Sequence, residues 1–148
     1  MSAKSAEAIQ FNYFKTTFRV KNPNKVLAWI DRIAKSEKIS IASLSYIFCT
    51  DAYLLKINKD YLDHDSLTDI ITFQYSAPGS KDLEGEIYIS VPRVRENARE
   101  LGIDFETEVR RVMIHGVLHM AGYGDKNSRA KKEMREREER ALEKWIRG

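Results

Sequence analysis

The sequence predicts a single α+β domain over residues 1–148, in which about five helices and a small mixed sheet of four strands form one core. Segments of strand character and segments of helical periodicity are interleaved along the chain, and the length suits one domain. The chain has a single cysteine, Cys49, so neither an internal disulfide framework nor a four-cysteine zinc cluster can hold the fold together. A mixed-sheet α/β domain is the alternative architecture.

Two strands and two helices are predicted in the first part of the chain. Residues 10–15 alternate apolar and polar side chains, which is typical of a strand. A helix is predicted over residues 24–36, where apolar residues recur at helical spacing after Pro23, with Asn22 or Asn24 as the cap. Residues 43–50 are rich in Tyr, Ile and Phe and predict a strand with Cys49 buried in it, and Asp51 then caps a helix that continues to residue 62.

The second part is predicted to contain two strands followed by three helices. The strands cover residues 68–75 and 86–90, and an Ala-Pro-Gly-Ser turn at residues 77–80 separates them. Glycine and aspartate residues mark the helix ends that follow, since Gly102 ends one helix, Asp104 caps the next and Gly122 stops it. The three helices are predicted over residues 92–99, 105–121 and 128–146.

The net charge of +3 is concentrated in the C-terminal segment. Residues 126–148 carry nine basic and five acidic residues, whereas residues 1–125 carry 16 basic and 17 acidic ones. A basic helix face can bind nucleic acid or an acidic membrane surface, and a solvated face with ion pairs is the alternative. Residues 1–10 lack the apolar core of a signal peptide, and the longest apolar run is about half the length of a membrane helix. We therefore expect a cytoplasmic protein without a membrane partner.

Two of the three histidines lie on the most apolar predicted helix. Residues 112–121 are apolar on every side except at His115 and His119, and a helix of this kind is normally buried. Burying an imidazole without a partner costs about 1–3 kcal/mol. The two residues are four positions apart and share one helix face, which suits two ligands of one tetrahedral metal ion. Two core histidines bonded to carbonyl groups or water are the alternative.

The residues around the histidines favour a metal site. Gly116 stands in the helix interior, where glycine costs about 1 kcal/mol relative to alanine, so we expect a close approach to the backbone there. Gly122 and Gly124 permit a sharp turn after the helix that can return Asp125 to the metal; an N-cap or turn residue is the alternative role of Asp125. A zincin peptidase is disfavoured because the general-base glutamate of that motif would stand at position 116.

These residues resemble the YbeY endoribonuclease family. The family motif His-Gly-x-Leu-His-Leu-x-Gly-Tyr-Asp-His is similar to residues 115–125, which read His-Gly-Val-Leu-His-Met-Ala-Gly-Tyr-Gly-Asp. Residues 57–62 and 68–73 resemble the family segments Leu-Asn-x-x-Tyr-Arg and Thr-Asp-Val-Leu-Ser-Phe, and residues 85–90 resemble Gly-Asp-Ile-x-Ile-Ser. The resemblance covers roughly residues 40–125, with the motifs in the same order.

The resemblance implies a zinc-dependent endoribonuclease with a zincin-like metal helix. Its implied role is ribosomal RNA maturation, including processing of the 16S 3′ end, and ribosome quality control, with ribosomal RNA or the small subunit as partner. One zinc ion per chain, and no small organic cofactor, would be held by His115, His119 and Asp125, with the two histidines as catalytic residues. Asp69 is expected to support the site through a hydrogen bond to a ligand or to the backbone. The candidate contacts to the RNA backbone are Lys131, Lys132, Arg135 and Arg137.

The sequence departs from the family pattern at two positions. Most members have a histidine where the ungapped match places Asp125; aspartate is a competent zinc ligand, but its negative charge weakens the pull of the metal on bound water. A gapped match would place Lys126 there, and a protonated lysine cannot bind a metal. The family arginine after the tyrosine corresponds to Leu62. The candidate substitutes for that arginine are Lys59, Arg93, Arg95 and Arg99.

Two rival functions remain open at this point. The absence of arginine at position 62 favours a ribosome-assembly RNA-binding protein whose zinc is structural and whose nuclease activity is weak or absent. The other rival is a metal-dependent hydrolase that acts on a small substrate. The third histidine, His64, lies in a polar segment and is expected to be exposed to solvent.

Overall fold

The computed structural model describes residues 8–62 and 68–148, with the side chain of residue 62 outside the description. Within these residues, four strands and five helices confirm the predicted α+β class with a mixed four-stranded sheet. The strands are β1 (Ile9–Tyr13), β2 (Ser40–Cys49), β3 (Ile70–Gln74) and β4 (Asp82–Ser90). The helices are α1 (Pro23–Ser36), α2 (Asp51–Leu62), α3 (Val91–Leu101), α4 (Phe105–Met120) and α5 (Ser128–Arg147). None of these helices is long and apolar enough to cross a membrane.

The sheet has the strand order β1-β2-β4-β3. β2 pairs in parallel with both β1 and β4, and β3 pairs antiparallel with β4 at one edge. Ile87 of β4 lies opposite Tyr46 of β2 on one side and Thr72 of β3 on the other. The helix that carries the histidines, α4, contacts both β3 and its neighbour β4.

The main core lies between one face of the sheet and the helices α1, α3, α4 and α5. Tyr46 and Phe48 of β2 are fully buried there, as are Ile87 of β4 and Trp29 of α1. The Tyr46 hydroxyl donates a hydrogen bond of 2.9 Å to the backbone carbonyl of Met113 and so ties the central strand to α4. The helix that carries the histidines is therefore fixed to the middle of the sheet.

A smaller apolar cluster covers the other face of the sheet under α2. It consists of Cys49, Leu54, Ile57 and Ile71, with aromatic side chains packed around it. The Cys49 thiol is fully buried, as predicted for a strand cysteine. Burial, assisted by the nearby charge of Asp51, raises the pKa of this thiol from its ordinary 9.0 to about 12.

Strands β2 and β4 begin earlier than predicted. β2 starts at Ser40 rather than at residue 43, and β4 starts at Asp82 rather than at residue 86. The added residues pair with each other, and the Ser40 hydroxyl donates a 2.7 Å hydrogen bond to the Asp82 carboxylate. Asp82, Glu84 and Gly85 have low strand propensity, but pairing between distant segments outweighs local propensity. At the start of α1, Asn22 occupies the cap position without making a side-chain capping bond.

Candidate functional site

Helix α4 presents His115 and His119 to an open cleft and buries its other faces. Asp104 caps the helix, as predicted, by accepting a 3.1 Å hydrogen bond from the Thr107 backbone N–H. The His115 side chain is 26% exposed, and His119 is exposed. The expectation that both histidines are buried in an all-apolar helix is therefore wrong. The sheet and α5 cover the apolar residues of the helix and leave the histidine stripe open.

The cleft has a volume of about 540 Å³ and lies between α4, α5 and the edge strand β3. The three predicted metal ligands line it together, as does Asp69. Of the four cations predicted to contact RNA, Lys131 and Arg135 also line this cleft. Its charged and histidine lining residues are Asp69, Glu108, Arg111, His115, His119, Asp125, Lys131, Arg135 and Glu138.

Both histidines use the same ring nitrogen to bond to the protein. His115 donates its Nδ1–H to Oε2 of Glu138 at 2.6 Å, and His119 donates its Nδ1–H to the backbone carbonyl of Tyr123 at 3.2 Å. Because these carboxylate and carbonyl oxygens can only accept, the neutral imidazoles carry their proton on Nδ1 and keep the Nε2 lone pair for a ligand. The hydrogen bond to Glu138 raises the pKa of His115 above its ordinary value, although burial of the ring acts against it.

Two imidazole nitrogens and a carboxylate are donor types that suit a zinc ion. Nε2 of His115 lies 3.9 Å from Oδ2 of Asp125. Two ligand atoms on a tetrahedral zinc are about 3.4 Å apart when the bonds are about 2.0–2.1 Å long. Among residues 8–62 and 68–148, no three His, Cys, Asp or Glu side chains already form a closed ligand set. The Asp125 side chain is 51% exposed and lies on the segment that precedes α5.

The alternative role of Asp125 as a helix cap does not hold. Asn127 is the cap of α5, since its side chain accepts a 2.8 Å hydrogen bond from the Ala130 backbone N–H. The carboxylate of Asp125 is therefore available to the cleft.

A pair of buried carboxylates lies behind His115. Glu138 is 3% exposed and Glu108 is 1% exposed. Arg111 joins them, because its Nη1 donates to Glu138 at 3.2 Å while its Nη2 and Nε donate to Glu108 at 2.7 and 2.9 Å. Burial raises the pKa of Glu108, and the hydrogen bonds from Arg111 act in the opposite direction. The site is thus a histidine pair in an open cleft, backed by two buried carboxylates and the arginine that joins them.

Comparison with known proteins identifies the family of the chain. The sequence model described as Endoribonuclease YbeY matches residues 9–146. The chain belongs to the YbeY family. The curated protein named Endoribonuclease YbeY from Flavobacterium psychrophilum is 46% identical, over 90% of this chain and 94% of that protein. The protein of the same name from Cytophaga hutchinsonii is 44% identical, over 92% of this chain and 94% of its own length.

A solved structure supports the fold of this YbeY protein. The solution structure of TM1509 from Thermotoga maritima superposes with a TM-score of 0.65 at 30% sequence identity. The match covers 93% of this chain and 88% of that chain. The single small α+β domain is therefore shared with an experimentally determined structure.

The three arginines suggested as substitutes for the family arginine at position 62 lie on α3, and each already has a partner. Arg93 pairs with Asp51 at 3.0 Å, Arg95 lies 4.0 Å above the ring of Phe105, and Arg99 pairs with Glu96. Among the described lining residues of the cleft, the arginines are instead Arg111 and Arg135. His64 lies outside the described residues, as does the side chain of Leu62.

Arg137, the fourth predicted RNA contact, holds the loop that follows the histidine helix α4. Its guanidinium donates to Glu37 at 2.8 Å and lies 4.1 Å above the Tyr123 ring. The Tyr123 hydroxyl also donates to Glu37, at 2.8 Å. Because the Tyr123 carbonyl orients His119, this contact of three side chains stabilises the turn that carries Asp125. A contact of Arg137 with RNA stays a prediction, as does that of Lys132, which lies in a separate surface depression of α5.

Asp69 stands at the start of β3 and lines the cleft. Its Oδ2 accepts a 3.2 Å hydrogen bond from the Asn97 side chain, and its carbonyl accepts from the Ser90 N–H at 3.0 Å. These bonds join β3 to α3 and β4. The predicted support of the site by Asp69 stays a prediction.

Sequence reasoning missed Glu138, Glu108 and Arg111. A usable sign was present for the first of them. Position 138 falls on the buried stripe of α5, which also contains Met134, Ala141 and Trp145. A charged residue at a stripe position requires a buried partner, whereas the surrounding glutamates and arginines are solvated.

Proposed function

We propose that this YbeY protein is a zinc-dependent endoribonuclease that acts in ribosomal RNA maturation. Endoribonuclease activity is the activity of the family to which the chain belongs. Zinc dependence is supported by one observation above all, namely that two histidines bonded to the protein through Nδ1 line one open cleft together with the Asp125 carboxylate. Ribosomal RNA or the small ribosomal subunit is the proposed partner, and the cytoplasm is the proposed compartment.

The proposed metal ligands are His115, His119 and Asp125. A zinc ion held by them would lower the pKa of a bound water and polarise the scissile phosphate. Each histidine keeps its Nε2 directed to the cleft because its Nδ1 is bonded to the protein. Asp125 brings a negative charge that a third histidine would lack, so we expect weaker activation of water than in a three-histidine site.

The proposed RNA path runs along the α5 wall of the cleft. Lys131 and Arg135 are one helical turn apart and both line the cleft. Either cation can make a charge-assisted hydrogen bond to a phosphate oxygen. Arg111 is less suited to this role because its charge is already paired with Glu108 and Glu138. We propose that Arg135 or Lys131 takes over the phosphate contact that Leu62 cannot make.

The experiment combines metal analysis with cleavage of RNA. We expect about one zinc per purified chain, and loss of both metal and cleavage in His119→Ala. A precursor fragment of the 16S 3′ end should be cut faster than an unrelated RNA of the same length. A chain without metal would contradict the zinc site, and equal cleavage of the two RNAs would contradict the ribosomal substrate.

The main rival is a ribosome-assembly RNA-binding protein with a structural zinc, favoured by Leu62 in place of arginine. Full metal occupancy without RNA cleavage would support this rival. Cleavage of a model phosphodiester but not of RNA would instead support a hydrolase of small substrates.

A further inference from the structure

Glu138 is a buried carboxylate on an otherwise exposed, highly charged helix. The buried residues of α5 are Met134, Glu138, Ala141 and Trp145, so the carboxylate occupies a position that the fold otherwise reserves for apolar side chains. A carboxylate that is removed from water is strongly destabilising unless charged or hydrogen-bonding partners replace the water. The partners of Glu138 therefore explain why it stands there.

Both oxygens of the Glu138 carboxylate have partners. Oε2 accepts the Nδ1–H of His115 at 2.6 Å, and Oε1 accepts from Nη1 of Arg111 at 3.2 Å. Arg111 is itself fixed by two hydrogen bonds to Glu108. The carboxylate cannot rotate without breaking one of these bonds, so the position of the His115 ring is set by a chain of four side chains.

The charge of this network also suits a cation on the far side of the His115 ring. Glu108 and Glu138 are two carboxylates, whereas Arg111 is one guanidinium, so the buried network carries a net negative charge when both carboxylates are ionised. In a poorly solvated environment such a charge acts over a longer distance than it does in water. It favours positive charge at Nε2, where the proposed zinc would be bound.

We propose that Glu138 is a positioning residue for the metal site, and that α5 is thereby a structural part of that site as well as a surface for RNA. Glu138 holds the Nδ1-protonated form of neutral His115, aims Nε2 into the cleft and makes this nitrogen a stronger donor. Arg111 and Glu108 keep Glu138 in place. This inference rests on the proposed function, because it assumes that His115 binds the metal.

The test measures zinc affinity by competition with a chelating dye. Glu138→Gln keeps the shape of the side chain and removes its charge, and we expect zinc to bind about 10–100-fold more weakly to this variant. Glu139→Gln is the matched control, since the same substitution is made at the adjacent exposed position and should leave the affinity unchanged. The visible absorption spectrum of the cobalt-loaded protein should change for the first variant only. A purely structural role of Glu138 would not alter that spectrum in a folded variant.

Further outcomes separate this inference from the proposed function. A wild-type chain that binds no zinc contradicts the proposed function and the inference with it. A wild-type chain that binds zinc, together with a Glu138→Gln variant that binds it within twofold and has the same cobalt spectrum, contradicts the inference alone. Should Glu138→Gln fail to fold, Glu138→Asp retains the charge but shortens the reach. This second variant should bind zinc at least several-fold more weakly, and wild-type affinity would overturn the inference.

Discussion

Gly116 of α4 lies directly against Ile87 of the central strand β4. A Cβ atom at position 116 would lie 2.6 Å from Cδ1 of Ile87 and 3.3 Å from Cδ1 of Ile70. The absence of a side chain lets the helix approach the sheet closely, at the residue next to His115. The close approach predicted from a glycine inside the helix is therefore confirmed, and the group that approaches is a core side chain.

Substitution of Gly116 by alanine should destabilise the protein. Alanine gains about 1 kcal/mol of helix propensity, but overpacking of a core usually costs about 1–3 kcal/mol. Because the new methyl group would overlap the end of Ile87, we expect a net loss of stability of up to about 2 kcal/mol, measured by urea unfolding. Ile87→Val removes the overlapping Cδ1 atom and should cost less in the Gly116→Ala background than in the wild type. Additive effects of the two substitutions would contradict the close contact.

The elements that the sequence predicts well are those with local chemical boundaries. The start of α3 is set by Ser90, whose hydroxyl accepts a hydrogen bond from the Arg93 N–H, and its end by Gly102 at a φ of 68°. The starts of β2 and β4 depend instead on pairing between Ser40 and Asp82, which are far apart in the chain. Long-range pairing of this kind leaves no local pattern, so these starts were missed.

The candidate site also combines features set by local sequence with features set by long-range packing. The shared face of His115 and His119 follows from the helical repeat alone. The contact between His115 and Glu138 joins two helices across 23 positions of sequence, and it depends on how α5 packs on α4. The exposure of His115 and His119 to the cleft likewise depends on where the neighbouring helices and strands end. The sequence pattern predicts which side chains share the cleft, while packing determines what surrounds them.

Trp145 should be essential for the docking of α5. Its ring meets Trp29 edge to face at a centroid distance of 5.7 Å, and the Trp29 indole donates a 2.7 Å hydrogen bond to the carbonyl of Ala141. We expect Trp145→Ala to lower the free energy of unfolding by about 2–4 kcal/mol, because it removes a large buried aromatic group. These two residues are the only tryptophans of the chain, so the fluorescence of Trp29 in the variant reports this contact directly.

The matched control for this prediction is Ile146→Ala. Ile146 follows Trp145 in the same helix but is 81% exposed, so its loss should change stability by less than about 0.5 kcal/mol. If Trp145→Ala were as stable as this control, the packing of the C-terminal helix would be incidental to the fold.

The Cys49 thiol should be inert in the folded protein. Burial raises its pKa from 9.0 to about 12, so at pH 8 only about one molecule in 10⁴ carries the reactive thiolate. A thiol reagent such as Ellman's reagent should react with the unfolded chain but not with the native one at this pH. Rapid modification of one thiol per native chain would contradict the buried strand position.

The raised pKa of Cys49 also predicts a dependence of stability on pH. Between pH 9 and pH 12 the unfolded chain loses the thiol proton while the native chain retains it. The free energy of unfolding should therefore fall as the pH rises through this range, and the contribution of the thiol is fully present below it. Cys49→Ala should show a shallower decline than the wild type when urea unfolding is compared at pH 8 and pH 10. Equal declines in the two proteins would contradict the raised pKa.

Lys131 and Lys132 should differ in their contribution to RNA cleavage, although they are adjacent and carry the same charge. Lys131 lines the cleft with Arg135, whereas Lys132 lies in the separate depression with Arg129 and Arg140. Loss of one charge-assisted phosphate contact corresponds to about 1.5–3 kcal/mol, so Lys131→Gln should slow cleavage by at least tenfold. Lys132→Gln is the matched control and should slow it by less than about threefold.

Binding measured at several salt concentrations tests the same wall of the cleft independently of catalysis. Each lost phosphate contact to single-stranded RNA should make the slope of log affinity against log salt concentration shallower by about 0.7. Arg135→Gln and Lys131→Gln should each show this change, since both side chains reach the cleft from one face of α5. Equal changes for Lys131→Gln and Lys132→Gln would mean that RNA meets α5 as a diffuse basic surface, because a path confined to the cleft requires that the two neighbours differ.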